Sequence, residues 1–128
     1  MNTNHQASPS LQVFLKDEPI FINNGKWLHP LFALEDFLSE NEYTAADLYL
    51  KDSIIGKAAA LLICRLGIRR IHGRLMSEPA VEYLRSRNAE FSWETLVPRI
   101  QCRTEELLAA VDDTEEAYTE LSRRAGRK

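Results

Sequence analysis

Three short stretches hold the side chains most able to act on a ligand. Lys51-Asp52-Ser53-Ile54-Ile55-Gly56-Lys57-Ala58-Ala59-Ala60 sets an acid, a hydroxyl, a glycine and an amine at the head of an apolar run. Met76-Ser77-Glu78-Pro79-Ala80 puts a hydroxyl and a carboxylate just ahead of a proline. Gln101-Cys102-Arg103-Thr104-Glu105 puts a thiol and an acid at the head of a third amphipathic stretch. All three read as helix openings, where the first N–H groups lack an intrahelical acceptor and the dipole favours negative charge. Two such openings facing one cleft would hold a phosphate or a carboxylate. Gly56 would let a ligand or another backbone approach closely, and Lys57 would add a mobile cation at the mouth. The candidate ligand-binding set is therefore Asp52, Ser53, Gly56, Lys57, Ser77, Glu78, Cys102 and Glu105.

The same residues also have plainer roles. Gly56 can pack against a strand and Lys57 can be solvated. Asp52, Ser53 and Ser77 can cap their helices through side-chain oxygens, and Glu78 can simply favour the dipole. A helix start would give Cys102 thiolate character. As a nucleophile it would still need a base, and nothing in the sequence brings His72 or His29 to it. No catalytic residue is assigned.

The elements that position these residues follow from hydrophobic period. Leu11, Val13 and Leu15 alternate as a strand does, and Ile20-Phe21-Ile22 makes a second run after a polar, Pro-containing turn, so the pair reads as an antiparallel hairpin. Pro30 opens a helix to about Ser39 or Glu40, with Leu31, Leu34, Phe37 and Leu38 on one stripe. Asp47 to Lys51 reads as a short central strand. A helix capped by Asp52 or Ser53 then carries Ile55, Ala59, Leu62 and Leu66, is apolar nearly all round, and ends at Gly67. Arg70 to Met76 alternates and stops at Ser77, and Pro79 opens another helix. A strand around Leu96-Val97-Pro98 is demoted by its proline to an edge or a strand end. Helices are expected from about Arg103 to Val111, and from Asp113 through Leu121. Strands alternating with helices predict an α/β fold, a three-layer α-β-α arrangement around a mixed sheet of four to five strands. Residues 1–9 read as a frayed tail, and 10–128 as one domain.

The two helix openings at Gly56 and Pro79, together with Leu96-Val97-Pro98, resemble a family of small bacterial and archaeal proteins of unknown function within the cytidine-deaminase-like fold. The similarity is densest from Asp52 to Pro98. In an active zinc deaminase the first opening carries H-x-E and the second P-C-x-x-C. Here they read Gly56-Lys57-Ala58 and Pro79-Ala80-Val81-Glu82-Tyr83, with Ala80 and Tyr83 where the thiolates would stand. Zinc needs at least three converging donors, so the resemblance implies a deaminase layout without its metal. Gln101 to Glu105 is similar to a family stretch that reads Cys-Pro-x-x-Glu, with Arg103 in place of the proline.

Composition narrows the remaining classes. With 45% hydrophobic and 27% charged residues the chain is an ordinary globular one, long enough to stand without disulfides or a structural metal. A net charge of −3 argues against a nucleic-acid partner. The run Ala58 to Cys64 is too short to cross a membrane. Two cysteines make no disulfide framework, Cys64 reads as a small buried hydrophobe, and the protein reads as reduced and cytoplasmic. The leading expectation is a non-catalytic domain that binds a nucleotide-like or other small anionic ligand without a cofactor. The alternatives are a homodimeric interaction module, with Trp27, Phe91, Trp93 and Tyr118 as aromatic anchors, and an enzyme that does not use zinc.

Overall fold

The computed structural model of the chain describes residues 9–100 and 114–126. It opens with β1 (Leu11–Leu15) and β2 (Glu18–Asn23). Lys16 and Asp17 join them with φ of 51° and 71°, the left-handed pair that a two-residue hairpin turn uses. Pro19 lies inside β2 rather than in the turn. β2 is an edge strand, and the pairing skips Ile20 in a bulge beside the proline, a setting in which a missing N–H is tolerated.

Next come α1 (His29–Ser39), a 3₁₀ turn at Ala45–Asp47, β3 (Leu48–Ile55) and α2 (Lys57–Leu66). β4 (Arg70–Ser77), α3 (Glu78–Ser86), β5 (Glu90–Val97) and α4 (Thr114–Arg124) complete the order. Hairpin and alternation agree with the sequence pattern. The helix expected over 103–111, Asp113 and most of the N-terminal tail lie outside the described residues.

One boundary moves in a way that matters for the site. Asp52 and Ser53 cap nothing: both belong to β3, and the N-cap of α2 is Gly56. The Ser53 N–H donates to the Ser10 carbonyl at 2.8 Å, and Ile54 and Ile55 pair with Leu75 and Met76. Two β-branched residues whose backbone is held by the sheet prolong the strand, so the helix starts only where Gly56 breaks the pairing.

The sheet order is β2-β1-β3-β4-β5, antiparallel around β1 and parallel from β3 to β5. Leu11, Val13, Leu48, Leu50 and Ile71 point to the buried side. The buried phase then slips by one residue. Pairing skips Ser53 opposite Arg74 and Arg74 opposite Glu94, and Ile55 and Met76 join the face that holds Leu50 and Ile71. Gly73 makes room for them, since a Cβ there would lie 3.0 Å from Met76 Cε and 3.1 Å from Ile55 Cδ1.

α2 is the centre of the core. Every residue from Lys57 to Ile63 is buried, and the helix touches α1, α3 and α4. Helices in mutual contact cannot lie on opposite faces of an intervening sheet, so the four described helices share one face. An α-β-α sandwich would need its second helical layer from residues outside those described. Gly67 ends α2 at φ 90°, its N–H bonded to Cys64 O at 3.0 Å, the left-handed cap its position predicted. α4 is fastened by Arg65, whose guanidinium meets Glu35 at 2.7 Å and Glu115 at 3.0 Å and lies 3.6 Å from the Tyr118 ring centroid. Tyr118 donates to Glu35 at 2.9 Å.

Candidate functional site

At one end of the sheet β1 begins while β2 and β3 finish. Leu11 pairs with Asn23 on one side and Asp52 on the other. β2 and β3 run the same way with one strand between them, so their exits stand about 10 Å apart. The first exit leads into α1 and the second into α2, and both helices open over the same gap. A cavity of about 350 Å³ occupies it, a size at the small end for ligand sites.

Three walls close the cavity. Asp52, Ser53 and Ile54 come from β3, Gly56, Ala58 and Ala59 from the start of α2, and Gly25 to Leu28 from the loop before α1; Ser10 and Ile100 complete the lining. Local bonds set the loop. Asn23 Oδ1 accepts from the Gly25 N–H at 2.7 Å, and Ser10 Oγ donates to the Gly25 carbonyl at 2.6 Å. Trp27 follows with φ 58°, a left-handed conformation that is costly for a bulky residue and tends to persist where its surroundings impose it. Its indole is 41% exposed and meets the His29 ring edge-on at a centroid distance of 5.2 Å. Neither helix start carries a side-chain cap: Leu28 opens α1 and Gly56 opens α2.

Asp52 is the acid in this lining. Burial pushes its carboxyl up to about 7, against backbone hydrogen bonds from Ile54 and Ser53 that favour the charged form. Desolvation thus outweighs two hydrogen bonds. Among the described residues no cationic side chain lies within ion-pair distance of it. Lys26, exposed at the mouth, is the cation of the described lining.

The sequence profile of the TM1506 family, described as a domain of unknown function (DUF1893), matches residues 5–123. The chain belongs to the DUF1893 family. A crystal structure of a DUF1893 family protein (TM1506) from Thermotoga maritima is similar, with a TM-score of 0.77 at 23% identity, covering 91% of this chain and 80% of that one. At that identity the likeness speaks for the fold alone. No curated protein matches the chain.

In this DUF1893 domain the residues singled out by the sequence separate. Asp52, Ser53 and Gly56 line the cavity. Lys57, expected as a mobile cation at its mouth, is 6% exposed and belongs to the core. Ser77 is fully buried and caps α3, accepting from the Ala80 N–H at 3.2 Å, and Glu78 is exposed. Neither lines the cavity. The cavity lies between the openings of α1 and α2, on either side of the start of β1, and the opening of α3 at the end of β4 adds no residue to its described lining. Cys102 and Glu105 lie outside the described residues.

Ser10, Lys26, Trp27 and Leu28 were not among the expected site residues. Their signal is Asn23-Asn24-Gly25 running into Pro30, a strand exit and helix entry like that at Gly56. His72 lies on the opposite sheet face from Leu50 and Ile71, between Ser92 at 2.7 Å and Glu94 at 3.1 Å in a cross-strand row. Cys64 is half-buried, its thiol raised by burial and less so for Arg87 and Arg69 nearby. Among the described residues no three His, Cys, Asp or Glu side chains gather as metal ligands, and no helix is long and apolar enough to cross a membrane.

Proposed function

We propose that the chain is a non-catalytic small-ligand-binding domain whose site is the cavity between the openings of α1 and α2. The single observation behind this reading is that cavity: small, mostly apolar, and shaped around one buried carboxyl group. The ligand class is nucleotide-like, a planar ring inside and any anionic group at the mouth beside Lys26. A purely anionic ligand fits the interior poorly, since Asp52 would repel it and Lys57 is not there to receive it. Binding of this kind is how a cytidine-deaminase-like layout would be reused once its metal ligands are gone, in a cytoplasmic protein. The reading of the chain as a homodimeric module draws on the half-exposed Ile22 of edge strand β2 and Leu96 of edge strand β5; sedimentation in solution tests it.

A thermal-shift and calorimetry panel of nucleosides, nucleotides and small carboxylates tests the leading reading. A ligand at ten times its Kd stabilises by about 1.4 kcal/mol, which raises the melting temperature by several degrees. That shift should vanish in Trp27→Ser. A panel without effect at millimolar concentration overturns the proposal.

A further inference from the structure

We propose that the inner end of the cavity selects a planar organic cation, an amidinium or a protonated amino-heterocycle, held by the Asp52 carboxylate beside the Trp27 indole. This rests on the cavity being a ligand site and adds the charge its occupant must carry there. A largely buried carboxyl in a mostly apolar cleft, with no cation among the described residues to pair with it, is a site a cation would complete, because buried charges are ordinarily paired. Among the described residues, the lining does not supply the partner. β1 brings Leu11 against Asp52, and β4 brings Gly73. α2 brings Gly56, Ala58 and Ala59 to the lining while its Lys57 is buried outside it and forms no ion pair with Asp52, and the loop before α1 brings Lys26, whose side chain is exposed at the mouth. A ligand cation would supply that partner.

Trp27 points to the same class. Indole is the side-chain ring that attracts cations most strongly, and here it lines the carboxyl's own cavity in a strained backbone conformation. An amidinium presents two parallel N–H donors to the two carboxylate oxygens, the geometry of the strongest charge-assisted pairs. The helix openings oppose a cation, each as about half a positive charge confined to the first turn. A full carboxylate facing the ligand outweighs them. The openings instead suit an anionic tail nearer the mouth, so the ligand's charges run from positive inside to negative outside.

Three nearly isosteric probes test this: benzamidine, benzamide and benzoate, titrated calorimetrically at pH 5.5 and 8.5. Benzamidine remains cationic throughout, whereas Asp52 passes from mostly protonated to mostly ionised. Its affinity should rise roughly 30-fold between the two pH values if binding needs the ionised carboxyl, and Asp52→Asn should abolish the rise. Benzamide and benzoate should bind at least tenfold more weakly at pH 8.5. Benzoate binding as tightly as benzamidine, or benzamidine binding that ignores both pH and Asp52→Asn, overturns the inference. If nucleotides bind and benzamidine does not, the charge assignment falls while the cavity stands; if neither binds, both fall.

Discussion

Replacing Asp52 with asparagine should stabilise the protein at neutral and alkaline pH and leave it unchanged in acid. The folded-state carboxyl is raised from 3.8 to about 7, so it contributes in the opposite sense to an ion-paired carboxylate. Below pH 3.8 both folded and unfolded chains hold the proton and the group is neutral to stability. Between 3.8 and 7 the unfolded chain releases its proton while the folded chain keeps it, so stability falls as pH rises. Above 7 the loss is complete. At roughly 1.4 kcal/mol per pH unit the ceiling is about 4 kcal/mol. Asp52 keeps some solvent contact, which brings the expected loss nearer 2 kcal/mol. Asparagine keeps the shape without the charge. Urea unfolding of both proteins from pH 4 to 8.5 should give curves that coincide at pH 4 and separate to about 2 kcal/mol by pH 8, the variant being the more stable. Parallel curves, or a variant less stable at pH 8, would refute a desolvated carboxyl at this position.

Gly67→Ala should cost about 1 kcal/mol or more, read as a lowered melting temperature: φ is 90° and a Cβ would sit 3.2 Å from Ala45 Cβ. Ser77→Ala should cost about 1 kcal/mol by removing the α3 cap while leaving ligand titrations unchanged, since the residue does not line the cavity. Arg65→Ala should lower hydrogen-exchange protection selectively in α4, because the guanidinium joins Glu35, Glu115 and the Tyr118 ring; equal loss across the sheet would contradict that role.

Much of the fold is legible in the chain because period and punctuation are local properties. Leu11, Val13 and Leu15 declare a strand with one buried face, the apolar circumference of Ala58 to Ile63 declares a central helix, and Gly67 and Ser77 fulfil the capping roles their types suggest. Asp52 and Ser53 misled because both are good caps in isolation. Their backbone is bonded to β1 and β4, and a hydrogen bond from Ser53 to Ser10, 43 positions back in the chain, is invisible to local pattern.

The site was decided between elements rather than within them. Whether β3 pairs with β1 or with β2 cannot be told from hydrophobic alternation, which is satisfied equally by either neighbour. Pairing with β1 sets the exits of β2 and β3 on either side of one strand end, brings Trp27 and Asp52 into one cavity lining, and buries Lys57. The chain's own pattern therefore names the acid, the glycine and the helix starts. The three-dimensional packing chooses which starts face one another, and by desolvating Asp52 it makes a surface-type carboxyl into the chemical feature of the cavity.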